Sequence, residues 1–398
     1  MSLLLELISN RLEKNKQSGL YRKIPEMDGC FKKHNGNFNY NTVIVNLATN
    51  DYLGLSKNES VKNAAKKAVD DYGTSASSSF LICGHSDIHS RLEEKLREFK
   101  GGYEACVLYP SGYQANAGII RSLSNIDPLR TFAAFDELSH ASIIDGVLSS
   151  GIKFKSFKHN DINSLESILD KRNKYEIKLV ITEGVFSMDG DIPDLPGILN
   201  IAEKYRALSI VDDAHATGTI GESGGGSVDF HKGKAKPDVI IGTLGKALAS
   251  NGAFVISNRL ISEYLINFGR AFIFSTGIPP SSAASSLEAL RIVEENPGLV
   301  KKLSDSSEYA RLYLKERGLN TLASTTHIIP VSIGEENTAV LIEKELLDAG
   351  IYLKAVRYPS VPRKSARLRL GVNTAIDRAT LEFSLKKISE IVGRHKIA

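Results

Sequence analysis

Between residues 105 and 242, short β-type runs alternate with helical segments, and this alternation limits the fold more than any other feature of the chain. The runs are Ala105–Tyr109, Thr131–Phe135, Lys178–Thr182, Leu208–Val211 and Asp238–Gly242. Helical patterns over Gln114–Leu123, Ala141–Leu148 and Leu195–Tyr205 lie between them. Parallel strands need long crossovers, usually helices, so the pattern predicts an α/β core around a mostly parallel sheet. The character changes after Pro279-Pro280. Helices are expected at 281–295 and 298–317. They are followed by β runs at Ile328–Ile333, Tyr352–Val356 and Ala366–Leu370, with helices at about 338–348 and 376–393. Leu4, Leu5, Ile8 and Leu12 recur at helical spacing, and the polar stretch 29–41 reads as loop. The expected organisation is an N-terminal helix and arm over 1–49 that packs with the small domain, a large α/β domain over 50–280, and a small α+β domain over 281–398.

The chain has 398 residues, 42% of them hydrophobic, which is enough for more than one core. A net charge of +4 is too slight to argue for a nucleic-acid partner. Cys30, Cys83 and Cys106 are scattered and odd in number, which fits free thiols in a reducing compartment rather than a disulfide framework. Glu6 interrupts the short apolar start, against a secretory signal, and no run approaches the roughly 20 apolar residues of a membrane span. These features predict a cytoplasmic protein.

Open α/β sheets bind ligands beyond the carboxyl ends of their strands. After Ala105–Tyr109 comes Pro110-Ser111-Gly112-Tyr113-Gln114, then a helix. Gly112 permits close backbone approach, and a helix N-terminus is a natural phosphate seat. An ordinary strand–helix turn would look the same. After Thr131–Phe135, His140 stands where a helix begins, either as a cap or as an imidazole against a ligand ring. After Lys178–Thr182 comes Glu183-Gly184-Val185-Phe186-Ser187-Met188-Asp189-Gly190, which also suits plain Asp-Gly turn chemistry. After Leu208–Val211 comes Asp212-Asp213-Ala214-His215. A carboxylate closing an apolar strand is costly to bury unpaired, so it wants a cation: a protonated pyridine nitrogen or a metal.

The last run is followed by Thr243-Leu244-Gly245-Lys246-Ala247. A P-loop needs four residues between its glycines and Ser or Thr after the lysine. Here two residues separate Gly242 from Gly245, and Ala247 follows. A lysine that forms a Schiff base needs an uncharged amine, which partial burial helps to supply. Cys83, His85 and His89 match no zinc spacing, and His89 fits a helix carrying Ile88, Leu92, Leu96 and Phe99, so no metal is expected.

With these residues in place, the chain resembles the α-oxoamine synthases, a family of fold-type I pyridoxal 5'-phosphate enzymes. The motifs are Asn50-Asp51-Tyr52-Leu53-Gly54-Leu55, Ser111-Gly112-Tyr113-Gln114-Ala115-Asn116, Ser139-His140-Ala141-Ser142 and the 182–190 segment. Asp212-Asp213-Ala214-His215-Ala216-Thr217-Gly218, Gly242-Thr243-Leu244-Gly245-Lys246-Ala247 and Ala366-Arg367-Leu368-Arg369 complete the set. The resemblance implies an aspartate aminotransferase-like fold with pyridoxal phosphate on Lys246. It makes Asp212 the partner of the pyridine nitrogen, His215 and Ser187 the neighbours of the ring hydroxyl, and His140 the residue stacked on the ring. Gly112, Tyr113 and Thr243 match phosphate-side positions. Ser275 and Thr276 match a segment that reaches the phosphate of a neighbouring subunit, which implies a homodimer with shared sites. Arg22, Asn50 and Glu183 match substrate positions, and Arg369 matches the arginine that holds the amino-acid carboxylate, with Arg357 a second candidate.

The implied reaction is the decarboxylative condensation of an amino acid with an acyl-CoA or acyl carrier protein. Gly19-Leu20-Tyr21-Arg22 and the 272–280 segment are most similar to the branch that uses L-alanine and a pimeloyl thioester. Leu81-Ile82-Cys83-Gly84 leans toward the branch that uses glycine and acetyl-CoA, and a serine–palmitoyl-CoA branch shares the same frame. Outside enzymology, the alternative is a phosphate-ligand-binding relative without lysine chemistry.

Overall fold

The structure is a computed structural model that describes residues 2–22, 24 and 45–396. The stretch 29–41 expected as loop, and Cys30 with it, lie outside the described residues. Twelve strands form among those described: β1 Val45–Asn46, β2 Ala105–Tyr109, β3 Thr131–Asp136, β4 Lys153–Phe157, β5 Ile177–Glu183, β6 Leu208–Asp212, β7 Val239–Thr243, β8 Ala253–Ser257, β9 Ile328–Gly334, β10 Ile351–Tyr352, β11 Lys354–Val356 and β12 Ala366–Gly371. The chain divides into two compact units, one holding Asn50–Ser187 and Asp191–Asp305, the other the chain up to Thr49, Met188–Gly190 and the chain from Ser306 onward.

In the first unit seven strands form one sheet in the order β2-β8-β7-β6-β5-β3-β4. From β3 to β7 every pairing is parallel, and β8 runs antiparallel to both β7 and β2. β2 therefore points the same way as β7. The carboxyl ends of β2, β3, β5, β6 and β7 thus reach one edge of the sheet. Val180, Ile181, Ile210, Val211, Val239 and Ile240 are buried, as strands covered on both faces require. On one side Phe132, Phe157, Leu165, Leu169, Val180 and Ile198 share a core cluster. The helices Gly112–Ser124 and Ala141–Ser150 approach so closely that a Cβ on Gly146 would lie 3.0 Å from the Ala117 Cα. The fold is the α/β architecture expected.

β4 and β8 were not foreseen, for different reasons. β4 is an edge strand whose first three residues are exposed, so its pattern lacks an apolar run. β8 follows β7 after residues 244–252, too few for a helical crossover, and so returns antiparallel. The helix Pro280–Glu295, assigned by its place in the sequence to the small domain, packs instead on the helices Glu59–Tyr72 and Asp87–Phe99 of the first unit. Its buried Ala283, Ala284, Ser285, Ser286 and Ala289 give those helices a smooth face to approach.

The second unit contains a three-stranded antiparallel sheet, β11-β12-β9, and a parallel pair of β1 with β10. The helix Leu3–Gln17 buries none of its residues. Beyond it, Gly19 accepts from Arg357 Nη1, and Arg22 Nη2 donates to the Tyr358 carbonyl at 3.3 Å.

Lys100 is fully buried in the first unit with all three ammonium protons placed: Asp213 Oδ2 at 2.5 Å, the Gly225 carbonyl at 2.7 Å and Thr217 Oγ1 at 3.0 Å. Removing one partner of such a pair leaves a buried charge uncompensated. Lys100→Met is expected to destabilise the protein by about 3–5 kcal/mol, read from the shift of its urea unfolding midpoint.

Candidate functional site

The site begins where β7 stops. Thr243 closes that strand, and its hydroxyl donates to the Gly252 carbonyl at 3.1 Å and accepts from the Gly245 N–H at 3.2 Å. This fixes the turn that presents Lys246, which is half-buried. Lys246 Nζ lies 2.8 Å from His215 Nε2. The other ring nitrogen, His215 Nδ1, lies 2.8 Å from the hydroxyl of Tyr52, which donates to Asn50 Oδ1 at 2.9 Å. His215 and Tyr52 are buried.

One strand over, Asp212 ends β6 and stands in register with Glu183 at the end of β5. Asp212 Oδ1 accepts from the Ala214 N–H at 2.9 Å, and Oδ2 from Asn116 Nδ2 at 2.6 Å. Each carboxylate oxygen has a second lone pair, so Asp212 retains room for another donor. Asn116 also donates to Ser142 Oγ at 3.0 Å, while its own Oδ1 is buried without a hydrogen-bond partner. His140 caps the helix Ala141–Ser150, its Nδ1 2.7 Å from Ser142 Oγ, and its backbone N–H donates to Glu183 Oε1 at 2.6 Å.

Burial pushes the Glu183 carboxyl well above the usual carboxylate range, and the charge of Asp212 adds to the push. The His140 N–H and the Lys246 ammonium oppose it. Burial lowers the pKa of His140; Asp212 resists this and Lys246 reinforces it. The edge therefore favours a protonated Glu183 and a neutral His140, which leaves a hydrogen-bond donor and an uncharged ring beside an acid with acceptor capacity.

At the start of the helix Gly112–Ser124, Ser111 accepts from the Gln114 N–H at 3.2 Å. A Cβ on Gly112 would lie 3.9 Å from the Thr243 Cβ, so the helix N-terminus and the end of β7 are neighbours. Unpaired N–H groups at such an end attract anions. Tyr113 is half-exposed and its hydroxyl donates to Asp145, which raises its pKa. Ser275 Oγ accepts from Gln114 Nε2, and Thr276 bridges to Ser79. Ser187 is buried just past β5.

The structure thus brings together Lys246, His215 and Asn50 in one hydrogen-bonded group, and Asp212, Glu183 and His140 in another. Arg22, Arg357 and Arg369 belong to the second unit. Arg369 is buried in β12 opposite Lys354 and Pro330. Arg367, two residues earlier on the same face, pairs with Asp189 at 2.7 Å.

Sequence reasoning missed Tyr52 as a partner of His215, Asn116 as a partner of Asp212, and a further cluster around His159. That imidazole lies between Asp136 Oδ1 at 3.0 Å and Asp191 Oδ2 at 2.9 Å, with the Phe186 ring edge-on at 4.4 Å. Asn160 adds a bond from Nδ2 to Asp191 at 2.7 Å. The cluster ties the segment after β3, which carries His140, to the segment after β5, which carries Ser187. Burial alone would lower the His159 pKa, but hydrogen bonds to Asp136 and Asp191, with their charges, more than offset it and raise it to about 10.

Residues 42–388 match the family described as aminotransferase class I and II. An 8-amino-7-oxononanoate synthase of Thermoanaerobacter pseudethanolicus is 40% identical over 97% of this chain and 97% of its own. Another, from Trichlorobacter lovleyi, is 40% identical over 98% of each. Among solved structures, a serine palmitoyltransferase with pyridoxal phosphate as its internal aldimine aligns with a TM-score of 0.89. It is 27% identical, and the alignment covers 99% of this chain and 100% of that one.

A histidine whose pKa rises on folding stabilises the fold fully below its unfolded value of about 6.5, and that contribution is lost as pH rises through the folded value. The excess stability of the wild type over His159→Gln should therefore shrink between about pH 6.5 and pH 10, followed by thermal melts across that window. A difference that grows with pH there would exclude a protonated His159.

Proposed function

The chain belongs to the aminotransferase class I and II family, in its α-oxoamine synthase branch, and we propose that it joins L-alanine to a pimeloyl thioester. A carbon–carbon bond forms between the amino-acid α-carbon and the thioester carbonyl, the thiol leaves, CO2 departs, and 8-amino-7-oxononanoate results. The observation that carries this reading is 40% identity to 8-amino-7-oxononanoate synthases over nearly the full length of both chains. The 27% identity to a serine palmitoyltransferase supports the fold and the cofactor class more than that substrate pair.

The residues at the sheet edge fit pyridoxal phosphate. Lys246 offers an amine, Asp212 an acid with acceptor capacity left, and the helix starting at Gly112 an anion seat beside Thr243. When bound, the cofactor supplies an electron sink for charge at the α-carbon. Asp212 would favour positive charge on the ring nitrogen, and Asn116 would hold that carboxylate in line. His140 would cover the ring face as a neutral imidazole, and His215 and Ser187 would meet the ring hydroxyl. Gly112, Tyr113 and Thr243 would hold the phosphate, with Ser275 and Thr276 reaching that of a second copy. That makes a dimer the working unit. Lys246 would take the proton from the α-carbon, which requires its amine to be neutral. Arg369 would hold the amino-acid carboxylate with its fork, Arg357 serving at another step, and Arg22, Asn50 and Glu183 would line the substrate side. No helix among the described residues is long and apolar enough to cross a membrane, and the expected place of action is the cytoplasm.

Thiol release should be measured with L-alanine, glycine and L-serine, each crossed against pimeloyl-, acetyl- and palmitoyl-CoA. Release with L-alanine and pimeloyl-CoA alone is expected. Release only with glycine and acetyl-CoA, or only with L-serine and palmitoyl-CoA, would reassign the substrates. Lys246→Ala is expected to lose the visible absorbance of the lysine-linked cofactor and at least ~100-fold in turnover.

A further inference from the structure

The line of hydrogen bonds ending on Lys246 has a direction, and Tyr52 sets it. A phenol has one proton. Tyr52 gives that proton to Asn50 Oδ1, at 2.9 Å. At the 2.8 Å contact with His215 Nδ1, the Tyr52 oxygen must then accept, so Nδ1 carries the imidazole proton. The lone pair of a neutral His215 is thereby left on Nε2, 2.8 Å from Lys246 Nζ. Charged lysine can only donate, so the line runs Lys246 to His215 to Tyr52 to Asn50 without a clash of donors. The reverse polarity would need Asn50 to turn its amide NH2 toward Tyr52. Tyr52 is fully buried and His215 is 7% exposed, so bulk water does not compete with the tyrosine at Nδ1.

We propose that Tyr52 is a positioning residue for Lys246, holding His215 as the Nδ1–H tautomer so that Nε2 can take the proton the lysine must shed. The transfer balances. Nζ gives one proton to Nε2 and keeps the freed electron pair, and the imidazolium that forms stays anchored through Nδ1–H on the Tyr52 oxygen. Asn50 Oδ1 serves as the acceptor that keeps the Tyr52 proton away from His215. Among the described titratable groups, His140 and Glu183 both feel the charge of Lys246, and Asp212 acts on both of them. They are common to wild type and a Tyr52 variant, so a difference between the two proteins isolates the tyrosine. The inference rests on the pyridoxal-phosphate reading given above.

The test follows pyridoxal phosphate uptake by the full-length protein, as growth of the visible band, between about pH 6 and 9. Wild type, Tyr52→Phe, His215→Asn and the double variant are compared. Tyr52→Phe is expected to slow uptake ~10-fold near neutral pH and to move the rate profile to higher pH. The double variant should be no slower than His215→Asn alone, because both changes act through one proton acceptor. Tyr52→Phe behaving as wild type, or its effect adding in full to that of His215→Asn, overturns the proposal. A second measurement needs no variant at Tyr52. Nitrogen-15 NMR of histidine-labelled wild type, with His215 assigned by its loss in His215→Asn, should show the Nδ1–H tautomer, and an Nε2–H tautomer overturns the proposal. If wild type develops no visible band with pyridoxal phosphate, the cofactor reading itself fails, while the tautomer result still decides the role of Tyr52.

Discussion

Parallel pairing makes neighbouring strands end together, and everything at the candidate site depends on that. Lys246 follows β7, Asp212 ends β6, Glu183 ends β5 and His140 follows β3, while Gly112 follows β2. The antiparallel β8 does not break the arrangement, because it is inserted between β2 and β7 and leaves them pointing the same way. Ionisable groups far apart in sequence are thus forced within reach of one another at a partly desolvated edge. In that setting charges cannot all persist. Asp212 and Glu183 stand in register on adjacent strands, and burial together with the Asp212 charge drives Glu183 toward its protonated form. Two chemically similar acids therefore acquire different jobs from their surroundings.

The sheet was legible in the sequence where its strands are buried on both faces, because such strands read as unbroken apolar runs. β4 was hidden by its exposed edge, whereas β8 is buried along its whole length and as apolar as its neighbours, but it lacks the intervening helical segment that marked the other strands. Among the site residues, Lys246 was legible because a lysine in a glycine-flanked turn after a strand suits few other chemistries once a P-loop is excluded. Tyr52 and Asn116 stood inside motifs of the resemblance without a role of their own, and Lys100 carried no local signal. Each is an ordinary residue until it meets a partner 163, 96 or 113 positions away. His159 was hidden for the same reason: one of its two carboxylates lies 23 residues before it and the other 32 after.

Asp212 and Asp213 are neighbours in sequence, and only Asp212 was given a role from it; the structure shows what separates the two. Successive residues of an extended strand point to opposite sides. Asp212 is held by Asn116 and the Ala214 N–H and keeps acceptor capacity, whereas Asp213 is committed to Lys100. The Ser227 N–H adds a bond to Asp213 at 3.1 Å. One acid is left for chemistry and its neighbour anchors the segment 213–227 that carries His215.

That anchoring explains two glycines, Gly184, which the sequence offered as part of a turn, and Gly226, to which it gave no role. A Cβ on Gly184 would collide with Asp213 Oδ1, and one on Gly226 would collide with Asp213 Oδ2. Gly226 also has φ +88°, a conformation that side-chain-bearing residues rarely adopt. These two positions close the backbone over the Lys100–Asp213 pair and keep water from it. A buried ion pair contributes little net stability compared with apolar packing, but its geometry is demanding, and here that demand falls on the loop behind β6. The orientation of His215 toward Lys246 is thus set from two directions: Tyr52 holds its ring nitrogen, and the Lys100–Asp213 pair holds its backbone.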